Sequence, residues 1–176
     1  YDILTPPVFN GLYNYQKLLG DVMLGDAVRN TLLYAVIVVP IQTVLALLLA
    51  CCVVGKGNRL TARFAKAAFF IPYLTSASII GIVWKTLLNS DIAAVEGFFA
   101  LFGLNASTLL GSSKTALPTL AGIAIWKDLG YYMIIYVAGL MNIPQIYYEA
   151  ARVDGANKWW EFYKITLPLD KPTTIL

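Results

Sequence analysis

The chain has 176 residues, of which 59% are apolar or aromatic and 13% charged, with no histidine and a formal net charge of +3. In soluble domains about a quarter of the residues are charged. This composition therefore favours a membrane protein, with a soluble protein built on buried helices as the alternative. The absence of histidine excludes Ser-His-Asp and Cys-His catalytic pairs and His-ligated metal sites, and the small net charge argues against nucleic-acid binding.

Residues 30–54 are predicted to form the first membrane span. Residues 31–54 include no charge at all, and about 20 apolar residues in a helix cross a bilayer core. Cys51 and Cys52 lie side by side in this run, which predicts neither a disulfide framework nor a thiolate zinc site. Because the sequence starts without Met and stops after a proline-marked turn, we expect it to be an excerpt of a longer protein.

Two further spans are predicted at 67–88 and 115–141. Residues 67–84 carry no charge, and the third apolar region is interrupted only by Lys127 and Asp128. Prolines fall inside all three predicted spans, where a packed membrane bundle tolerates them as kinks.

The charges between the spans predict which side each loop faces. The loop 55–66 carries four basic residues and no acid, so the positive-inside rule places it in the cytoplasm; a lipid-binding or nucleic-acid-binding patch is the alternative. The segment 1–29, which ends at the entry to the first helix, and the loop 89–114 are then external. We expect a short re-entrant or interfacial helix within that external loop.

The segment 142–170 differs from everything before it, because it is rich in charges of both signs and in aromatic residues. Asn142 is predicted to cap a helix, with Gln145 placed as in a capping box. That helix should stop at Gly155 in a left-handed conformation. Asn157 should start a second helix, which is predicted to end at Leu167, before a proline.

The second predicted helix places Trp159, Phe162 and Tyr163 on one face by their spacing. Large aromatic side chains among charges favour a protein–protein contact in the cytoplasm. An amphipathic helix lying on the membrane is the alternative.

The spacing of Glu149-Ala150-Ala151, Gly155 and Ile165-Thr166-Leu167-Pro168 resembles the EAA loop of binding-protein-dependent ABC importer permeases. The surrounding sequence is similar to the carbohydrate-uptake branch, the maltose and glycerol-phosphate type. Weaker similarities follow in the same order along the chain, at 9–15, 29–31, 70–72 and 126–140.

This resemblance implies an all-α, polytopic membrane bundle of the type I ABC importer permease fold, with about three full spans and a cytoplasmic coupling hairpin. Residues 171–176 would begin the next span. The protein would be a multi-pass component of a bacterial or archaeal cytoplasmic (inner) membrane. Its partners would be a second permease subunit, ABC ATPase subunits, an extracytoplasmic substrate-binding protein and the lipid bilayer.

The same resemblance implies a transport subunit and no enzyme, with no cofactor or metal bound by this chain. No G-x-x-x-x-G-K-[ST] sequence occurs, so ATP would be used by the partner ATPase. Glu149 would pair with a basic group of the ATPase cleft, Ala150 and Ala151 would allow close approach, and Gly155 would form the bend. The full set of implied coupling residues is Glu149, Ala150, Ala151, Asp154, Gly155, Ile165, Leu167 and Pro168.

Lys127 and Asp128 form the only charged pair deep within an apolar region. Charges inside a membrane usually face a cavity or each other. With Trp126, Tyr131 and Tyr132 they are candidates for the solute path; alternatively Lys127 reaches an interface and Asp128 bonds a neighbouring helix. Because adjacent helical residues point about 100° apart, these two are predicted not to pair side by side.

Two other function classes remain open, a secondary transporter or channel and a membrane scaffold. A secondary carrier should show inverted repeats and ion-coupling acids within its spans, and the sequence shows neither. A scaffold would not need a bent, charge-balanced hairpin. The sequence does not identify the solute.

Overall fold

The computed structural model describes residues 9–55, 59–89 and 92–175, in which all regular secondary structure is helical. The predicted all-α class is therefore confirmed. The chain divides into two units, Tyr1–Val36 and Ile37–Leu176. In the first unit, α1 (Tyr13–Leu19) precedes the start of α2 (Val22–Gly55), and the later helices belong to the second.

Helix α2 begins at Val22, ahead of the predicted start at residue 30. It is long and apolar enough to cross a membrane. In the second unit its buried residues recur every three or four positions, the period of one helix face. They are Val38, Gln42, Ala46, Leu47, Ala50 and Val53.

The predicted span 67–88 consists instead of two helices, α3 (Arg59–Leu74) and α4 (Ala77–Leu88), which meet at 91°. Pro72 cannot donate a helical hydrogen bond, and Ser76 has an extended backbone that starts α4. Helix α3 also takes up the second half of the predicted basic loop. Ala62 and Ala65 explain this, because they pack on the apolar core.

The predicted external loop contains two short helices, α5 (Ala93–Ala100) and α6 (Ala106–Leu109). Leu88 at the end of α4 packs with Ala106 and Leu109, so the helices of this loop are held against α4. The short helix expected in this loop is thus present as two.

Helix α7 (Ala116–Met141) is the second single helix long and apolar enough to cross a membrane. One buried cluster joins its carboxyl-terminal half to that of α2. Its members are Ala46, Leu47, Ala50, Val53, Met133, Tyr136, Val137 and Leu140. The bent pair α3–α4 would supply a third span by length and composition, and α3 packs along α7.

Candidate functional site

The segment after α7 folds into a helical hairpin, 142–170, whose first arm is α8 (Gln145–Val153). Gly155 has a φ of +80°. The Ala156 N–H donates to the Ala151 carbonyl at 2.9 Å and the Gly155 N–H to that of Arg152 at 3.1 Å. These are the two hydrogen bonds of a Schellman motif, so Gly155 has the predicted left-handed conformation.

The start of α8 differs from the prediction. Asn142 is the carboxyl-terminal cap of α7, and its N–H donates to the Gly139 carbonyl at 3.0 Å. Pro144, with extended backbone, precedes α8 and supplies no side-chain cap. The predicted capping box is therefore wrong, because Ile143 stands before a proline and is disfavoured in a helix.

The second arm starts as predicted, since the Asn157 side chain accepts the Trp160 N–H at 2.8 Å. It comprises α9 (Lys158–Glu161), a π-helical turn (Phe162–Thr166) and α10 (Leu167–Leu169), followed by α11 (Lys171–Ile175). The predicted helix end at Leu167 is thus wrong. Pro168 follows the π-helical turn directly, and the chain continues as a helix into α10 in spite of the proline.

The structure separates the implied coupling residues into two groups. The exposed ones are Glu149, Ala150, Asp154, Gly155, Leu167 and Pro168. Ala151 and Ile165 are buried, at 6% and 8% exposure. These two side chains therefore pack within the protein, and the exposed six remain available to a partner.

An apolar patch surrounds Glu149 on the outside of the hairpin. Ile146, Glu149, Ala150 and Val153 follow the spacing of one helix face, and Val153 is 88% exposed. On the second arm, exposed Trp159 stacks on Tyr163 with ring centroids 6.4 Å apart. We call Ile146, Glu149, Ala150 and Val153 the α8 outer face; exposed apolar groups around one carboxylate suit a protein contact.

Two side-chain contacts join the arms of the hairpin. Arg152 Nε donates to Glu161 Oε1 at 2.9 Å, and the hydroxyl oxygens of Tyr148 and Thr166 are 3.0 Å apart. The hydrogen bond from Arg152 to Glu161, and the charge of that carboxylate, raise the pKa of Arg152. The sequence does not predict either contact, because each joins residues on different helices.

The middle of α7 carries the candidate solute-path residues. Lys127 Nζ lies 2.9 Å from Asp128 Oδ1, so the prediction that these neighbours do not pair is wrong. The Cβ atoms of the two residues point about 100° apart, but the lysine side chain is long enough for its Nζ to reach the Asp128 carboxylate. Lys127 Nζ also lies 5.2 Å from the ring centroid of Tyr73, a cation–π distance.

Tyr73 of α3 completes this group, although the sequence did not single it out. Its ring stacks on Tyr131 at 4.7 Å, and Tyr132 meets Tyr131 edge-on at 5.3 Å. Trp126 lies elsewhere. It contacts Trp84 and lines a separate apolar pocket of about 530 Å³. We call Tyr73, Lys127, Asp128, Tyr131 and Tyr132 the α3–α7 polar cluster.

Asp170 lies at the end of the hairpin, and its burial is not predicted by the sequence around it. It is 2% exposed, and neither carboxylate oxygen makes a well-formed hydrogen bond within the described residues. A Cβ added to Gly139 would overlap this carboxylate, so Asp170 lies directly against α7. Burial raises the pKa of Asp170, and the nearby Thr173 hydroxyl lowers it in part.

Helices long and apolar enough to cross a membrane are thus followed by an exposed helical hairpin. The chain belongs to the family described as binding-protein-dependent transport system inner membrane component, whose model matches residues 23–176. This confirms the family that the EAA-like spacing indicated.

Among curated relatives, the chain is similar to a probable ABC transporter permease, YurN of Bacillus subtilis, with 33% identity over 93% of this chain and 56% of that protein. It is also similar to the arabinooligosaccharide permease AraP of Halalkalibacterium halodurans, with 31% identity over 95% of this chain and 52% of AraP. The chain thus spans about half the length of these relatives.

The fold also matches a solved structure. A bacterial ABC transporter that imports the acidic polysaccharide alginate superposes with a TM-score of 0.85 and 25% identity, over 94% of this chain and 58% of that one. In a second structure, the alginate transporter is in complex with a periplasmic protein bound to an alginate pentasaccharide (TM-score 0.84, 26% identity, 93% of this chain and 57% of that one).

Proposed function

We propose that this chain is part of the permease subunit of an ATP-driven, binding-protein-dependent importer, and that its solute is a sugar or related polyol. The observation that carries this is the hairpin, in which the short helix α8, bearing exposed Glu149, ends at a left-handed Gly155 that turns the chain into the second arm. Family membership supports the importer class. The arabinooligosaccharide and alginate transporters among its relatives support the solute class.

The α8 outer face is the proposed contact with the ATPase subunit. Glu149 offers a carboxylate to a basic group, Ala150 leaves room for close approach, and Ile146 and Val153 supply apolar area to be buried. ATP would bind and be hydrolysed on the ATPase. Closure of that subunit would then move the hairpin and, through it, α7.

The α3–α7 polar cluster is the proposed part of the solute path. Aromatic faces such as that of Tyr73 can stack on a sugar ring, and Asp128 and Lys127 can bond to hydroxyl groups. Because Lys127 can donate to hydroxyl groups and Asp128 can accept from them, the cluster suits a polyhydroxylated solute. A second permease subunit would complete the path, and a substrate-binding protein would deliver the solute from outside.

The coupling surface is tested by Glu149→Lys in the full-length subunit, assembled with its ATPase and binding protein. Reversing one charge of a desolvated pair costs about 2–5 kcal/mol, so the ATPase should largely fail to co-purify with a normally inserted permease. Glu96→Lys, at a glutamate on α5 that is also exposed, makes the same charge change as a control. Normal co-purification and uptake with Glu149→Lys would contradict ATPase docking at this face.

The same preparation distinguishes an ATP-driven importer from a secondary transporter. Uptake into vesicles should require ATP inside and the binding protein outside. Uptake driven by an ion gradient with neither of them would overturn the importer proposal.

A further inference from the structure

The two arms of the hairpin are fastened to each other at two levels by polar side chains. Arg152 pairs with Glu161 near the Gly155 bend, and Tyr148 pairs with Thr166 one helical turn further from it. Thr166 Oγ1 additionally donates to the Glu161 carbonyl at 3.3 Å, which links the two levels.

The spacing of these partners on the two arms is unequal. Tyr148 and Arg152 are four residues apart, which places them about 40° apart around an α-helix at 3.6 residues per turn. Glu161 and Thr166 are five residues apart, which in an α-helix would place them about 140° apart. An α-helical second arm would therefore turn one of the two away from α8.

The π-helical turn Phe162–Thr166 removes this mismatch. Its hydrogen bonds span five residues, as in the bond from the Leu167 N–H to the Phe162 carbonyl. A residue five positions further along therefore returns to nearly the same face, and Glu161 and Thr166 both reach α8. Single π turns are rare and occur frequently at functional sites.

We propose that Tyr148, Arg152, Glu161 and Thr166 are positioning residues that lock the hairpin into one rigid lever, with the π turn setting their register. This inference rests on the proposed coupling function. None of the four is on the α8 outer face, so they would act by holding that face at a fixed angle to the second arm. That arm leads into α11, which packs on α7.

Burial makes both the Arg152–Glu161 pair and the Tyr148–Thr166 pair sensitive to substitution. The Glu161 side chain is 11% exposed and that of Arg152 62%, so losing Arg152 leaves a carboxylate that is neither hydrated nor paired. Thr166 is 7% exposed, and its hydroxyl needs its partner for the same reason. A hairpin lacking these contacts can open without losing its docking face.

The test uses the full-length permease assembled with its ATPase and binding protein, and measures solute transported per ATP hydrolysed. Arg152→Glu and Glu161→Arg should each lower this ratio by about fivefold or more, with the ATPase still co-purifying. The double variant, which reverses the pair, should regain most of the ratio. Lys164→Glu makes the same charge reversal at an exposed position of the second arm and should leave the ratio unchanged.

The contact between Tyr148 and Thr166 gives an independent measurement if the charge variants fold poorly. Tyr148→Phe and Thr166→Val should each lower the ratio, and the double variant should be no worse than Thr166→Val alone, because Thr166→Val already removes the contact with Tyr148. If Arg152→Glu and Tyr148→Phe both transport as much solute per ATP as the parent, the proposal that these residues lock the hairpin is overturned. A parent protein that recruits no ATPase would instead overturn the proposed function.

Discussion

Gly130 of α7 lies directly against the backbone of Phe69 in α3, so close that a Cβ on the glycine would overlap the Phe69 carbonyl. The two helices therefore cross with their backbones in contact. Helix pairs in membranes depend on such small residues, because packing replaces the hydrophobic effect as the force between them. The same crossing brings Tyr73 to Tyr131 and so builds the α3–α7 polar cluster.

Gly130→Val should force α3 and α7 apart and lower the free energy of unfolding by about 1–3 kcal/mol. Thermal unfolding of the purified protein in detergent would show this as a lower midpoint. Gly122→Val is the matched control on the same helix, where an added Cβ meets nothing within 4 Å. Equal midpoints for the two variants would mean that the backbones do not touch at Gly130.

Tyr73→Ala should weaken solute transport, because it removes the ring that stacks on Tyr131 and lies beneath Lys127. An aromatic contact of about 1 kcal/mol corresponds to about a fivefold rise in the solute concentration at half-maximal transport. Tyr73→Phe keeps the ring and should stay near the parent value. If Tyr73→Ala transports with unchanged concentration dependence and rate, the solute does not pass this cluster.

Gly155→Val should disable the hairpin bend. A residue with a Cβ pays about 1–2 kcal/mol in the left-handed region, and a β-branched one suffers more. The protein should reach the membrane but hydrolyse ATP without transport, with Gly155→Ala milder. Gly97→Val, at an exposed helical position on α5, is the control. Full coupling in Gly155→Val would place the bend elsewhere.

Asp170 should make stability depend on pH. Burial raises the pKa of its carboxyl in the folded protein, so its contribution is fully present below the ordinary pKa of Asp and is lost as pH rises through the raised value. Asp170→Asn should therefore raise the free energy of unfolding at neutral pH by on the order of 1 kcal/mol relative to the parent. Its melting temperature should rise accordingly. This difference should shrink in acid.

The control for that measurement is Asp154→Asn, since Asp154 is exposed. Its melting temperature should follow that of the parent at every pH. A parent that is as stable as Asp170→Asn across the whole range would show that the ionised carboxylate has a partner in the assembled protein.

The orientation of the chain can be tested with single cysteines in a background lacking Cys51 and Cys52. A cysteine at Asn58, within the basic loop, should react with an impermeant thiol reagent only from the cytoplasmic side. One at Ser112, in the loop before α7, should react only from outside. Reaction of both from one side of sealed cells would exclude the predicted orientation.

The sequence by itself determined the features that depend on near neighbours. The uncharged run 31–54 predicts a long apolar helix, because about 20 such residues satisfy a bilayer core. Gly155 and Asn157 predict a left-handed end and a helix cap because each effect acts within a few residues. The spacing from Glu149 to Pro168 sufficed to indicate the family.

Only the tertiary structure decided which distant residues meet. Tyr73 and Lys127 come together because α3 and α7 cross at Gly130, and nothing near either residue in sequence specifies that crossing. The π turn before Pro168 follows from the need of Thr166 and Glu161 to face α8, which outweighs the local tendency of a proline to end a helix. Local preferences are worth about 1 kcal/mol or less for most residues and about 3 kcal/mol for a proline inside a helix, and packing between helices can override them.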